Sequence, residues 1–254
     1  MRLFIKLSYN GRNYNGWQSQ PGHPSVQTQL ERALSIWFKQ QIDVTGAGRT
    51  DTGVHAINYV AHFDLQSDSL TLPKDTEKTI FKINAILPSD IVVHHIWQVS
   101  DDAHARFDAV SRTYRYYVHS QKSVFLNDYS LFYPHKLDIE KMNRACSLIE
   151  GTHDFTSMAK LHTDVKTNIC TVTYAKWESG SPLGFECSDS LQFTISANRF
   201  LRNMVRAVVG TMLEIGRGRE NPEWIIDVLN SKNRSAAGNS VPAHPLFLTG
   251  IDYL

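Results

Sequence analysis

The sequence predicts an α+β fold in which helices cover one face of a predominantly antiparallel sheet. Strand and helix patterns follow each other without the regular βαβ alternation that a parallel sheet requires. The second half of the chain resembles the first in its order of elements, so we expect two related halves, residues 1–105 and 106–254, joined near 100–108. Of the 254 residues, 42% are hydrophobic and 20% are charged, as is typical of globular proteins.

The first half begins with a strand at residues 2–9, where Leu3, Ile5 and Leu7 occupy alternate positions. Ser25 is a favourable N-cap for the helix that follows, in which Val26, Leu30, Ala33, Leu34 and Trp37 recur at helical spacing. Further along we expect a short strand at 42–45, a glycine-rich loop that begins at 46 and enters a strand ending near Asp64, a helix over 75–86 and a strand over 91–99.

The second half is predicted to contain three strands and three helices. The strands are expected at 112–119, near 170–178 and at 191–197, and the helices at 138–150, 200–215 and 222–230.

The N-terminus and the cysteines indicate a cytoplasmic protein. The first apolar stretch is interrupted by Lys6 and Ser8, so it does not resemble a signal peptide, and no stretch is long and apolar enough for a membrane span. Three widely spaced cysteines without a CxxC pair argue against both a disulfide framework and a zinc knuckle. The net charge of +1 counts mildly against a nucleic-acid-binding protein, unless the arginines cluster locally.

The segment Gly46-Ala47-Gly48-Arg49-Thr50-Asp51-Thr52-Gly53 is the most informative part of the sequence. Its glycines permit tight backbone and close approach of a ligand. Arg49 and Asp51 lie two residues apart, so the loop could bring a phosphate contact and a nucleophile to one place. An aspartate among glycines also commonly forms a turn by binding its own backbone, so spacing alone leaves both interpretations open.

Arginine and tyrosine are interleaved in the segment from Arg106 to Val118. On a strand, Tyr114 and Tyr116 would lie on one face and Arg115 on the other. Arginines interleaved with aromatic residues suit RNA, because they provide phosphate contacts and stacking surfaces together. An amphipathic strand whose arginines extend to the surface is the alternative.

A third segment, residues 199–219, contains five arginines and a single acid, Glu214. Arg202 and Arg206 lie in its first part, and Arg206 falls at the edge of the apolar face of the predicted helix. An arginine at such an edge needs an anionic partner if it is buried, or else it is partly exposed with its stem on the core. We expect these arginines to form one basic patch that the net charge conceals.

Together these segments resemble the TruA family of tRNA pseudouridine synthases. The resemblance covers nearly the whole chain and is most specific in Gly48-Arg49-Thr50-Asp51-x-Gly53-Val54-His55. It extends to His104-Ala105-Arg106-Phe107, Tyr114-Arg115-Tyr116 and Met204-Val205-Arg206. Ala103 stands where the family often has an aromatic residue, and no functional effect is expected from that difference.

The resemblance implies the pseudouridine synthase fold and a set of site residues. It implies that Asp51 is the catalytic aspartate, Tyr114 the active-site tyrosine and Arg206 the basic residue that forms an ion pair with the aspartate. Arg49 corresponds to an arginine associated with the flipped-out nucleotide, and Arg106 and Arg202 are further candidates for substrate binding. The resemblance also implies a homodimer that uses no metal or organic cofactor and modifies uridines 38, 39 and 40 in the tRNA anticodon arm.

Two other functional classes compete with this hypothesis. A non-catalytic RNA-binding protein would explain the arginines equally well, but a carboxylate in a phosphate-facing cleft would only weaken its binding. A hydrolase that uses Asp51 would usually need a metal cluster or a second carboxylate, and the sequence contains no such pairing.

Overall fold

The computed structural model describes residues 1–66, 75–160, 167–184 and 189–254. The chain divides into two compact units, Met1–Val110 with Leu248–Leu254, and Ser111–Phe247. The C-terminal residues therefore belong to the first unit. Strands and helices are mixed throughout the described residues, which confirms the predicted α+β class.

The elements are numbered in chain order. The strands are β1 (Arg2–Tyr9), β2 (Val44–Gly46), β3 (His55–Asp64), β4 (Ile91–Gln98), β5 (Ala109–His119), β6 (Leu131–Phe132), β7 (Gly151–Asp154), β8 (Ile169–Ser179), β9 (Ser190–Ala197) and β10 (Leu246–Tyr253). The α-helices are α1 (Val26–Phe38), α2 (Thr76–Ile86), α3 (Ile139–Ile149), α4 (Met204–Gly216) and α5 (Trp224–Ser231).

In the first unit, the strand order is β4-β1-β3-β10, and β2 also pairs with β3. β1 is antiparallel to both of its neighbours, so that Ile5 lies opposite Ala61 on one side and Ile96 on the other. Leu3, Ile5 and Leu7 are fully buried as predicted, but Phe4 on the opposite face is buried as well, so the predicted alternation holds only in part. Phe4 packs edge-to-face against Trp97 and Tyr253. β10 follows the last predicted element and was not predicted.

The helices of the first unit begin where the capping residues indicate. The Ser25 hydroxyl accepts a hydrogen bond from the Thr28 amide at 3.2 Å, and α1 begins at the next residue, Val26. The Asp75 carboxylate accepts one from the Lys78 amide at 2.9 Å at the start of α2. Each cap satisfies an amide group that the first helical turn leaves without a partner.

In the second unit, the strand order is β5-β9-β8-β7, with antiparallel pairing throughout this series. Tyr114 of β5 lies opposite Ile195 of β9, and Tyr116 lies opposite Phe193. The short β6 runs parallel to β5. The core of this unit includes Trp177 of β8, whose indole nitrogen lies 3.2 Å from the sulfur of Met212 in α4.

The predicted start of the helix at residue 200 is wrong. Asn203 adopts a left-handed conformation with φ of 69°, which cannot continue a helix toward the N-terminus, and α4 therefore begins at Met204. Leu201 lies in the preceding turn, where its carbonyl accepts a hydrogen bond from the Met204 amide at 3.1 Å. Residues 200–203 thus form a turn that presents side chains at the N-terminal end of α4.

No helix within the described ranges has both the length and the apolar character that a membrane span requires. Cys146 and Cys170 are buried free thiols. Cys187 lies outside the described residues, so the structure bears on the expected absence of disulfides only at Cys146 and Cys170.

Candidate active site

Asp51 lies in the turn between β2 and β3 in the first unit. Its side chain is half-buried, the following residues Thr52 and Gly53 complete the turn, and Arg49 is exposed two residues earlier. The predicted loop at the glycine-rich segment is confirmed, because β2 ends at Gly46 and β3 begins at His55. The loop thus places a carboxylate and a cation close together in sequence, one partly sheltered and one in solvent.

Thr50, next to Asp51, is held from several directions. Its hydroxyl lies 2.8 Å from the Tyr9 hydroxyl, and its carbonyl accepts a hydrogen bond from the Trp17 amide at 3.4 Å. A Cβ at Gly16 would lie only 2.2 Å from that carbonyl oxygen, and Gly16 has φ of +89°. Only glycine fits there, so residue 16 allows a second loop to pack directly against the backbone that carries Asp51.

The C-terminal side of the turn is fixed in the same way. The Val54 amide donates to the Asp51 carbonyl at 3.1 Å, and the Gly53 amide donates to the Tyr14 carbonyl at 3.3 Å. Tyr14 is itself fixed by Asp90, whose carboxylate accepts a hydrogen bond from the Tyr14 hydroxyl at 2.5 Å. Burial and this hydrogen bond raise the pKa of Tyr14. Hydrogen bonds therefore hold the backbone on both sides of Asp51, which suits a side chain that must act in one geometry.

Arg106 lies in a tight turn of the first unit and is exposed. The His104 ring nitrogen Nδ1 accepts a hydrogen bond from the Arg106 amide at 3.1 Å, and the His104 carbonyl accepts one from the Asp108 amide at 3.0 Å. The Arg106 guanidinium lies 5.7 Å from the centroid of the Phe107 ring, which is 74% exposed. The turn thus presents an arginine and an aromatic ring to solvent together.

The same turn depends on the protonation state of His62. Nδ1 of the buried His62 accepts a hydrogen bond from the Ala105 amide at 3.1 Å. Burial, together with the positive charges of Arg2 and His104, lowers the pKa of His62 to about 4. His62 is therefore neutral in the folded protein at pH 7, and protonation would remove the acceptor.

We expect the free energy of unfolding to fall as the pH drops from about 6.5 to about 4. In this range His62 is protonated in the unfolded chain but stays neutral in the folded protein, so protons favour the unfolded state. His62→Asn retains an acceptor near Nδ1 but cannot titrate, so its stability should depend less on pH in this range. Urea unfolding of both proteins at pH 7 and pH 4.5 measures the difference. Equal loss of stability in the two proteins would show that His62 does not contribute.

Tyr114 is distinguished from the other tyrosines of β5 by its exposure. Tyr116 is fully buried, its hydroxyl donates to the Pro242 carbonyl at 3.1 Å, and burial raises its pKa well above 10. Tyr117 is buried against Phe247. Tyr114 is only half-buried, so it is the tyrosine of this strand that can meet a substrate.

Phe200 packs edge-to-face against Tyr114, with ring centroids 5.1 Å apart and an interplanar angle of 85°. Phe200 was not predicted as a site residue, because it was assigned to the helix rather than to the turn before it. This packing restricts the orientation of the Tyr114 ring.

Arg206 is half-buried in the first turn of α4. Its Nε donates to the Val241 carbonyl at 2.7 Å, and the Val241 amide donates back to the Arg206 carbonyl at 3.2 Å. The positive end of the helix dipole lies at this terminus, so a cation there is unfavourable unless an anion compensates it. The position therefore favours the interpretation that Arg206 serves an anionic partner.

The prediction of one basic patch over residues 199–219 is wrong. Arg202 is exposed in the turn before α4, whereas Arg217 and Arg219 follow the C-terminal end of this 13-residue helix. At about 1.5 Å per residue the two groups are on the order of 20 Å apart. Arg219 also forms a 2.8 Å ion pair with Glu214. The basic residues near the site are thus those at the N-terminal end of α4.

The predicted site residues divide between the two units. Those of the first unit are Arg49, Asp51 and Arg106, and those of the second are Tyr114, Arg202 and Arg206. The ion pair between Asp51 and Arg206 stays a prediction.

Among the residues that the structure describes, no group of three or more histidine, cysteine, aspartate or glutamate side chains could hold a metal ion.

The chain is similar to known proteins over nearly its whole length. A family model described as tRNA pseudouridine synthase matches residues 6–108 and 145–253. The tRNA pseudouridine synthase A of Porphyromonas gingivalis is 48% identical over 252 residues, which cover 99% of this chain and 97% of that protein. The protein of the same name from Bacillus subtilis is 39% identical over 257 residues, covering 100% of this chain and 99% of that one.

Proposed function

The chain belongs to the tRNA pseudouridine synthase family and isomerises uridine to pseudouridine in tRNA, and we propose that Asp51 is the carboxylate on which this reaction depends. The observation that supports this role is the half-buried carboxylate on a turn whose backbone is fixed on both sides. A protein that only bound RNA would gain nothing from it, because the negative charge repels phosphate.

The isomerisation exchanges one bond to the ribose for another and consumes no second substrate. The C1′–N1 bond breaks, the uracil turns, and the C1′–C5 bond forms. A proton then leaves C5, and N1 of the product carries a hydrogen. Carboxylate chemistry could begin this sequence by attack on the sugar, by attack on the base or by assisting loss of a ribose proton.

We propose that Tyr114 handles the proton that leaves C5. A general base must lie within hydrogen-bonding reach of its proton, directly or through one water molecule. Among the tyrosines of β5, Tyr114 is the one exposed enough for such contact, and Phe200 restricts the orientation of its ring.

We propose further that Arg206 is the ion-pair partner of Asp51. A cation in the first turn of α4 lies at the positive end of the helix dipole, and a nearby carboxylate would compensate the repulsion.

Arg49 is proposed to bind the nucleotide that leaves the helical stack. A target uridine in the anticodon arm must be extruded at a cost of a few kcal/mol before the reacting atoms are accessible. Arg49 is exposed two residues from Asp51, so its guanidinium can occupy the space left by the base or hold the displaced nucleotide. Arg106 and Arg202 are proposed to contact the tRNA backbone.

The phosphate role of Arg202 predicts a specific change in salt dependence. We expect the logarithm of the association constant for tRNA to fall linearly with the logarithm of the salt concentration, through counterion release. Arg202→Ala should weaken binding and reduce the magnitude of the slope by about 1. Arg219→Ala is the matched control, because Arg219 lies beyond the other end of α4 and is paired with Glu214.

Filter-binding titrations between low and physiological salt measure both slopes. Equal changes in the two variants would contradict the assignment of Arg202, because the effect would then reflect total charge rather than one phosphate contact.

We propose that the enzyme acts in the cytoplasm as a homodimer on uridines 38, 39 and 40 of the anticodon arm. A dimer would combine the basic surfaces of two chains into a footprint large enough for an L-shaped tRNA. The small net charge of the chain, +1, agrees with a basic surface confined to one region.

The reaction can be tested through the hydrogen at C5. We expect the purified protein to release tritium to solvent from tRNA transcribed with [5-³H]uridine, without added metal or nucleotide. Analytical ultracentrifugation of the same preparation tests the dimer separately. Binding of tRNA without tritium release would favour the non-catalytic alternative.

A further inference from the structure

Arg206 depends on a segment that has no regular secondary structure of its own. Residues 237–241 lie between a short 3-10 turn, Arg234–Ala236, and the last strand. This segment supplies the Val241 carbonyl that accepts the Arg206 Nε hydrogen bond at 2.7 Å. The direction of the Arg206 guanidinium therefore follows the position of this segment.

Arg234 holds the segment through both of its terminal nitrogens. Its Nη1 donates to the Gly238 carbonyl at 3.0 Å and lies 3.5 Å from the Ala237 carbonyl, while Nη2 donates to the Ser240 hydroxyl at 2.8 Å. A planar guanidinium can make these bonds at once because its donors have a fixed fork geometry. A lysine ammonium could not hold the same acceptors in the same directions.

The other side of the segment is pressed against α4. The Gly238 amide donates to the Thr211 hydroxyl at 3.1 Å, and the Asn203 side chain donates to the Ser240 hydroxyl at 2.7 Å. A Cβ at Gly210 would lie only 1.8 Å from the Asn239 carbonyl oxygen, so the backbone of the segment packs directly on the helix. Ser240 is thus held between Arg234 and the residue that precedes α4.

Arg234 forms no salt bridge with the residues that the structure describes. It is half-buried, and burial lowers its pKa. Its acceptors are neutral oxygens, so the chain retains a partly desolvated charge without an anion beside it. Such an arrangement is reasonable when the shape of the guanidinium, rather than its charge, is what the site requires.

We propose that Arg234 is a positioning residue of the synthase, which fixes residues 237–241 and through Val241 sets the direction of Arg206. This inference rests on the proposed role of Arg206. It assigns to Arg234 no contact with tRNA and no part in proton transfer.

The test is a comparison of kcat and KM for unmodified tRNA in variants of the full-length protein. We expect Arg234→Ala to lower kcat by about 10- to 100-fold, because misplacement of a catalytic group by about 1 Å has effects of this size. KM should change by less than about twofold, since the tRNA contacts remain. Arg144→Ala is the matched control, because Arg144 of the same unit is exposed and pairs with Glu223; its kcat should equal that of the wild type.

Two further variants keep the test decisive if Arg234→Ala folds poorly. Ser240→Ala removes the acceptor of two hydrogen bonds, from Arg234 and from Asn203, and should lower kcat by about threefold to tenfold while the melting temperature falls by less than about 10 °C. In an Arg206→Lys background, Ser240→Ala should add less than about twofold, because residues that act through one group are not additive.

A normal kcat in folded Arg234 and Ser240 variants would overturn the proposal, as would full additivity with Arg206→Lys. A rise in KM with unchanged kcat would show that Arg234 serves tRNA binding instead. These outcomes require an active wild-type enzyme and an impaired Arg206→Lys variant. Absence of pseudouridine formation by the wild type would contradict the proposed function itself, and normal activity of Arg206→Lys would contradict the role of Arg206.

Discussion

Asp51→Asn is expected to abolish pseudouridine formation while leaving tRNA binding nearly intact. The substitution preserves the size of the side chain and removes its negative charge, so the turn held through Thr50, Gly53 and Val54 should persist. An amide cannot act as the carboxylate does, either as a nucleophile or as a base. We expect the rate to fall below a few per cent of the wild-type rate, measured as tritium release under single-turnover conditions with saturating enzyme.

Asp43→Asn is the matched control, because Asp43 is an exposed aspartate of the same unit just before β2. It should retain the wild-type rate and affinity. Retention of more than a few per cent of the rate by Asp51→Asn would contradict the assignment. Loss of tRNA binding in that variant would show instead that Asp51 organises the binding surface.

Tyr114→Phe is expected to reduce turnover by about 10²-fold or more, with little change in affinity. The change removes only the hydroxyl and keeps the ring that packs edge-to-face on Phe200. Tyr174→Phe provides the control, because Tyr174 of β8 is 40% exposed and no role is proposed for it. The measurement is the single-turnover rate and the dissociation constant of each variant.

A Tyr114→Phe enzyme with normal turnover would mean that the ring alone matters and that another group accepts the C5 proton. A large fall in affinity would instead assign the hydroxyl to substrate binding.

The residues proposed to carry the chemistry could be found from sequence because their signals are local. Arg49 and Asp51 stand within one glycine-rich stretch, and Tyr114 belongs to a short run of arginine and tyrosine. The helix caps at Ser25 and Asp75 are equally local, since each side chain binds an amide three residues away. Such signals identify residues and element starts without knowledge of the tertiary structure.

The residues that position the site could not be found in this way. The Tyr9 and Thr50 hydroxyls meet across 41 positions, and Tyr14 reaches Asp90 across 76. Ser240 binds Asn203 across 37 positions. A single sequence carries no signal for these contacts, because each depends on how separate elements pack.

Two element errors have related causes. The start of α4 was misplaced because Leu201 fits the apolar period of the helix, although Asn203 takes a left-handed conformation and binds Ser240. β10 was missed because Leu246, Phe247 and Leu248 are all buried, which removes the alternation typical of a half-buried strand.

The most direct test of the central claim is to map pseudouridine in an unmodified tRNA transcript after incubation with the purified wild-type protein and with Asp51→Asn. The account predicts pseudouridine at one or more of positions 38, 39 and 40 with the wild type, and none with the variant at equal tRNA occupancy. Pseudouridine formed equally by both proteins would contradict the role of Asp51, and its absence with the wild type would contradict the proposed function.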